Sequence, residues 1–182
     1  MIYTLFGQVE NKFGNTLIFK ILDLGLEIQV IDASHFSYKE KYLLYIVDYI
    51  KDENVTLFGF ENELERTIFK YLISLNGIGP QSARTILKNI DPNRLISFIQ
   101  EGKVHELEKI SGIGNKASRI ISDLKGKISD IYVTDVRYQE AYDVLISMGY
   151  DPKIANKTVN ELEEGMETGA AIIEAIRRIK LG

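Results

Sequence analysis

The chain carries one short glycine-containing segment twice, and each copy interrupts a helix-like stretch. Residues 76–80 are Asn-Gly-Ile-Gly-Pro and residues 111–115 are Ser-Gly-Ile-Gly-Asn, with the second Gly-Ile-Gly starting 35 residues after the first. Two glycines one residue apart allow a tight turn in which at least one takes a positive φ. Each copy therefore predicts a hairpin between two helices, with its central isoleucine, Ile78 or Ile113, packed between them.

Such a hairpin is suited to binding phosphate. Glycine amides can approach a charged surface closely, and a helix that starts directly afterwards adds free N–H groups and the positive end of its dipole. A simple helix–helix turn remains the alternative for either copy alone. Polar or basic residues after both copies favour phosphate binding. The predicted DNA-binding residues are Gly77, Ile78, Gly79, Gln81, Ser82, Arg84, Gly112, Ile113, Gly114, Asn115, Lys116 and Arg119.

The charge distribution supports a nucleic-acid partner, although the net charge is −4. Residues 1–63 have a net charge of −5 and residues 128–182 a net charge of −4, whereas residues 64–127 carry 11 Lys and Arg against 6 Asp and Glu, a net of +5. The basic section is the one that contains both hairpins. A basic section between acidic ones is typical of an electrostatic binding surface, with a chance excess of solvated lysines as the alternative.

Residues 1–60 show the alternation and the close turns of about five short strands. A small closed barrel of the oligonucleotide-binding (OB) type is predicted, with a simple meander as the alternative. The turn at residues 51–54 contains Asp52 and Glu53. An ordinary solvated turn is the first interpretation. A carboxylate pair that repels phosphates is the second, and at about 6 Å one such pair of charges is worth roughly 2–3 kcal/mol before screening by salt.

Helical periodicity begins after the barrel. Helices are predicted over residues 61–75, with Asn62 as the cap and Glu65 completing a capping box, and over 80–89. A third helix starts at Asp91 and ends at Gly102, a short one covers 104–110, and the last covers 115–125. Residues 129–137 are predicted to be a linker. Three further helices over 138–147, 152–162 and 168–180 form a small docking module, with a predicted core of Leu145, Met148, Ile154, Val159, Leu162, Ile172, Ile173, Ile176 and Ile179.

Several chemistries are missing from the sequence. It has no cysteine, which excludes disulfides and cysteine-ligated metals, and it has no nucleotide-binding phosphate loop. His35 and His105 have no partner pattern, and no run of apolar residues approaches the roughly 18 of a membrane span. A cytoplasmic protein without a cofactor and without a membrane partner is predicted.

The resemblance to a known family rests on residues 24–28, 57–60, 65–73, 76–80, 111–114, 123–127 and 141–152. Along nearly its whole length the chain resembles the RuvA family of bacterial Holliday-junction branch-migration proteins. The resemblance implies a multidomain α+β fold: an OB barrel over residues 1–63, a tandem helix-hairpin-helix domain over 64–128, the linker, and a C-terminal three-helix module, similar to UBA domains, over 138–182.

The resemblance also implies a function in DNA recombination and repair. Members of the family are non-catalytic homotetramers that bind four-way junctions without reading sequence, and one or two tetramers per junction are both left open. Asp52 and Glu53 correspond to the family's acidic pin, which keeps strands apart at the crossover. The C-terminal module docks the hexameric ATPase RuvB, with Leu145, Met148 and Tyr150 as the predicted docking residues, and the junction resolvase RuvC is a further candidate partner.

Two alternatives to this function belong to other classes. A helix-hairpin-helix glycosylase or lyase would use Asp91, Asp123 or Asp130, the only downstream candidates. A scaffold that binds only proteins would use the C-terminal module alone.

Two features depart from the family pattern. Ala83 follows Gly79 by four residues, whereas Ala117 follows Gly114 by three. The register of the helix after the second hairpin is therefore expected to differ from the first. The linker is also shorter than in many relatives, which limits the reach of the C-terminal module.

Overall fold

The computed structural model of the chain describes residues 1–128, 139–163 and 166–181. It contains two compact units, Met1–Leu124 and Lys125–Gly182. The predicted linker over residues 129–137 lies outside the described residues. The predicted division into domains at residues 63, 128 and 137 stays a prediction.

The first unit begins with a closed five-stranded barrel, so the barrel prediction is confirmed over the meander. Its strands, in chain order, are β1 (Thr4–Phe13), β2 (Thr16–Ile21), β3 (Leu24–Val30), β4 (Lys41–Lys51) and β5 (Asn54–Phe60). Neighbouring strands follow the order β1-β2-β3-β5-β4, and β1 pairs with β4 to close the barrel. The pair β3–β5 is parallel and the others are antiparallel.

Alternating side chains fill the barrel interior, as the period of two along a strand requires. The interior residues include Val9, Leu17, Phe19, Ile28, Leu44 and Ile46, all without exposed surface. A 3-10 turn at Ala33–His35 connects β3 to β4.

Five helices follow the barrel in the first unit. They are α1 (Glu63–Ile73), α2 (Pro80–Asn89), α3 (Pro92–Glu101), α4 (Val104–Glu108) and α5 (Ala117–Leu124). The predicted caps are confirmed: Asn62 accepts the N–H of Glu65 at 2.9 Å, and Asp91 accepts from the first turn of α3. The capping box differs in one respect, because the Glu65 carboxylate accepts from the N–H of Glu61 and not from that of Asn62.

Helix α1 packs directly against the barrel. Phe69 is fully buried, and its ring centroid lies 4.9 Å from those of both Phe58 and Phe60. The buried Arg66 donates from Nε to the carbonyl oxygen of Ile46 at 2.6 Å, and its guanidinium stacks on the ring of Tyr3. The barrel and the helices of this unit therefore share an apolar and hydrogen-bonded contact.

The second unit contains α6 (Gln139–Ser147), α7 (Pro152–Asn160) and α8 (Thr168–Leu181). Leu145, Val159 and Leu162 are buried as predicted. The prediction was wrong for Met148, Ile154 and Ile173, which are exposed. Small side chains take several of the core positions of these helices, and these three larger side chains remain outside the core. These small core residues are Ala141, Ala155, Ala171 and Ala175.

Within the described residues, no helix has the length and apolar character needed to cross a bilayer.

Candidate functional site

The first turn, residues 76–79, joins α1 to α2. Gly77 has a φ of 87°, and the N–H of Ile78 donates to the carbonyl oxygen of Leu75 at 3.1 Å. Ile78 is only 5% exposed, so its side chain anchors the turn in the core. Gly79 is extended, with a φ of −88°, and caps α2.

The second turn, residues 111–114, repeats this geometry. Gly112 has a φ of 91°, the N–H of Ile113 donates to Ile110 at 3.1 Å, and Ile113 is 2% exposed. The prediction that both isoleucines are buried is confirmed. The two turns contain four glycines: Gly77, Gly79, Gly112 and Gly114. Across the described residues, the backbone N–H groups of these glycines donate no hydrogen bond within the chain. These four N–H groups are free to bind an acceptor.

The two turns diverge at their last glycine. Gly114 takes a φ of 50° and starts a 3-10 turn over Gly114–Lys116 before α5 begins at Ala117. A 3-10 turn uses fewer residues than an α turn. It therefore absorbs the missing residue, and Ala117 is fully buried like its counterpart Ala83. The expected difference in register is limited to this one turn.

The second turn packs tightly against α2. A Cβ added at Gly112 would lie 3.2 Å from Cγ2 of Thr85 and 3.3 Å from Cγ1 of Ile86. Because the φ is also positive, any other residue at this position would be strained as well as crowded.

The equivalent face of the first turn is open. A cavity of about 120 Å³ lies between the first turn and α5, and no atom would come within 4 Å of a Cβ added at Gly77. Lys116 and Arg119 line it together with Leu75, Asn76, Gly77, Ile78 and Ile120. Arg119 also lies near Asp123, with Nε 3.4 Å from Oδ2. The cavity therefore brings Gly77 of one motif beside Lys116 and Arg119 of the other.

The remaining predicted residues are distributed more widely. Asn115 and Gln81 are exposed and Ser82 is half-buried. Arg84 does not line the cavity. Its Nη1 donates to Oε1 of Gln29 on the barrel at 3.0 Å.

Asp52 and Glu53 form the two-residue turn between β4 and β5, with Lys51 paired to Asn54 across its base. Both have positive φ, 49° and 64°, so the turn has the mirror-image geometry that fits a twisted hairpin and is usually occupied by Asn-Gly. Both side chains are exposed. Two carboxylates thus project into solvent from the tip of a barrel hairpin.

The predicted docking residues of the second unit occupy different environments. Leu145 is fully buried, so its side chain contributes to the core and not to a surface. Met148 is 51% exposed and Tyr150 is half-buried against the core. Ile146 and Ile154, neither of which was predicted to dock a partner, are exposed close in sequence to Met148. Their exposure depends on how the three helices pack, and the sequence pattern does not show it.

The two histidines have partners that the sequence did not predict. Nδ1 of His35 lies 2.8 Å from Glu61, whose carboxylate raises the pKa of His35, and Nδ1 of His105 lies 3.2 Å from Glu108. Within the described ranges, no three acidic, histidine or cysteine side chains are grouped to hold a metal ion.

The fold and the site define a class: a protein that couples an OB-type barrel to a tandem helix-hairpin-helix. A sequence profile described as "SAM-like Helix-hairpin-helix tandem" matches residues 69–127. The chain is 31% identical over 184 residues to a protein of Thermotoga maritima, covering 97% of each chain, and 30% identical over 195 residues to one of Geobacter metallireducens, covering 97% of this chain and 98% of the relative. A Borreliella burgdorferi protein is 32% identical over 168 residues, covering 88% of this chain and 85% of the relative.

All three relatives carry the name "Holliday junction branch migration complex subunit RuvA". The chain belongs to the RuvA family.

Proposed function

We propose that this chain binds four-way DNA junctions without sequence specificity, as the DNA-binding subunit of a branch-migration complex. The observation that carries the proposal is the repeated turn with its unpaired glycine amides, the first copy of which shares a cavity lining with Lys116 and Arg119. The names of the relatives agree with it.

The chemistry of the two turns favours contact with the DNA backbone. Ile78 and Ile113 are buried, so the glycines on either side of them present main-chain N–H groups to the surface. Such groups bind phosphate oxygens, and phosphate contacts carry no sequence information directly. Repetition of the turn gives each chain two points of attachment along the DNA.

A homotetramer would match the four arms of a junction. Two such tetramers on one junction would form an octamer. In this arrangement Asp52 and Glu53 act at the crossover, where two carboxylates repel phosphates and keep strands apart. The exposed apolar side chains of the outer barrel surface, Phe6, Leu22 and Leu43, supply a surface that a second copy can cover.

The chain acts without catalysis and without a cofactor, in the cytoplasm, and the motor is a separate ATPase of the RuvB kind. The exposed residues around Met148 in the second unit are the proposed contact with that ATPase, and RuvC is a further candidate partner. No observation favours the alternatives. Asp91 is used as a helix cap and Asp123 pairs with Arg119, while Asp130 lies outside the described residues.

A gel-shift comparison of a four-way junction with a linear duplex of the same length and sequence tests the proposal. At one stated salt concentration the junction is expected to bind more tightly. Both affinities are expected to fall steeply with added salt, because phosphate contacts release counterions. Equal affinity for the two DNAs would contradict junction binding, and absence of binding at low salt would favour the scaffold.

Neutralising the acidic turn is expected to tighten junction binding. Asp52→Asn with Glu53→Gln removes two charges close to phosphates, and at an effective dielectric of about 20 each pair contributes roughly 2–3 kcal/mol before screening. We therefore expect junction affinity to rise by about tenfold at low salt, while branch migration with the ATPase is altered.

The matched control for the acidic turn is Glu40→Gln with Glu27→Gln, which removes the same charge from other exposed positions of the barrel. If this control tightens junction binding as much as the turn variant, the effect reflects net charge and not the position of the turn.

A further inference from the structure

Helix α2 touches three other parts of the first unit. It begins directly after the first turn, at Pro80. Thr85 and Ile86 pack against Gly112 of the second turn. Arg84 and Lys88, one helical turn apart, both contact the barrel. Helix α2 therefore links both turns to the barrel, beside the contact that α1 makes with it through Phe69.

The Arg84 contact lies partly out of solvent. Nη1 donates to Oε1 of Gln29 on β3 at 3.0 Å and reaches Oε1 of Gln81 at 3.4 Å. Nε is buried and has no hydrogen-bond partner in the described part of the chain. Burial lowers the pKa of Arg84, which reports that the cation is partly desolvated at the barrel surface. A guanidinium held in this way is oriented toward the barrel.

The Lys88 contact lies one turn further along α2. Nζ is 2.8 Å from Oδ2 of Asp32, the residue before the 3-10 turn that connects β3 to β4. Oδ1 of the same carboxylate accepts the N–H of Ser34 at 2.9 Å. The hydrogen bond from Lys88 holds the pKa of Asp32 well below its usual range. The carboxylate of Asp32 is thus oriented by a hydrogen bond within its own loop as well as by Lys88 of α2.

We propose that Arg84 and Lys88 are positioning residues that hold α2 on the barrel, through Gln29 and Asp32, and so aim both turns at the DNA arms. This inference rests on the proposed junction function. A junction must be met by several subunits whose turns lie at a fixed angle to their barrels, whereas a linear duplex needs only the local geometry of the turns. Preorganisation of this kind contributes to affinity by lowering the ordering cost of binding.

Two substitutions of Gln29 distinguish an effect of the hydrogen bond to Arg84 from an effect of charge. Gln29→Leu removes the acceptor for Arg84 without changing charge, and the preference for junction over duplex is expected to fall by about tenfold, the scale of one partly buried hydrogen bond to a charged group. Gln29→Glu keeps an acceptor for Arg84 although it adds a negative charge to the barrel, and it is expected to retain the preference.

A second pair of variants tests whether the contact between Lys88 and Asp32 acts through positioning or only through the net charge of the chain. Asp32→Asn makes the chain less negative, which by charge alone would strengthen binding to DNA. We expect the opposite for the junction: its affinity relative to duplex falls by about threefold, a smaller change because the contact is more exposed. Glu27→Gln removes the same charge from the same region without altering either contact, and is expected to leave the ratio unchanged.

A measurement without DNA distinguishes failure of this inference from failure of the proposed function. The sequence has no cysteine. Spin labels can therefore be placed at Lys20→Cys on the barrel and Lys109→Cys beside α4, both exposed, in chains diluted with unlabelled protein. The distance distribution between them is expected to be narrow in the parent and broader with Gln29→Leu or Asp32→Asn. Broadening in a protein without junction preference would support the positioning role and contradict the proposed function. An unchanged distribution together with an unchanged ratio would overturn the positioning role.

Discussion

Replacing both cations of the cavity, Lys116→Gln with Arg119→Gln, is expected to reduce junction affinity by at least a hundredfold at moderate salt. Each phosphate contact that is lost removes about 0.9 from the slope of log affinity against log salt concentration. The slope should therefore fall by about two for every subunit that contacts DNA. A gel-shift or fluorescence titration at four salt concentrations measures both quantities.

The matched control for the cavity is Lys70→Gln with Lys109→Gln. It removes the same charge from exposed positions of the same basic section. We expect a small loss of affinity, because these lysines do not line the cavity. An equal loss for the two double variants would show that the overall basic charge, and not the cavity, is responsible for binding.

Deletion of residues 138–182 is expected to abolish stimulation of the ATPase while junction affinity stays within about twofold of the parent. The reason is that the barrel and both turns belong to a separate compact unit, Met1–Leu124. The remaining chain keeps its own core around Phe69. Measurements of ATP hydrolysis and of branch migration with the motor, beside a gel shift of the truncated chain, check this result.

A point variant refines the deletion. Met148→Asp places a charge on an exposed residue of the second unit without removing a core side chain, and it is expected to weaken stimulation with the fold intact. Glu161→Gln, at another exposed position of that unit, is the control. If the chain that lacks the second unit still stimulated the ATPase, the proposed role of this unit in contacting the motor would be contradicted.

Most local features could be predicted from the sequence because they depend on neighbouring residues. Asn62, Asp91 and Gly102 define helix ends through contacts within a few residues, and each does so in the structure. The barrel was predicted from strand alternation and close turns. The burial of Ile78 and Ile113 followed from their apolar character between two helices.

The features that depend on packing between distant elements could not be predicted. The position of Arg84 after the first turn predicts a DNA ligand, but only the fold shows that Gln29, 55 positions away, accepts its hydrogen bond. The cavity joins Gly77 to Lys116 and Arg119 across two motifs, so neither segment alone indicates it. In the second unit, alanines occupy four core positions, and the prediction of a core position was wrong for Met148, Ile154 and Ile173.

In the acidic turn, the residues that would best stabilise the backbone differ from the residues that supply its two charges. Asp52 and Glu53 both occupy the left-handed region, where glycine and asparagine are favoured and where other residues cost on the order of 1 kcal/mol. Asp52→Asn with Glu53→Gly would relax the backbone and raise the melting temperature of the barrel. It would also delete both charges of the turn. Screening variants for thermal stability alone would therefore select against the feature proposed to separate the strands.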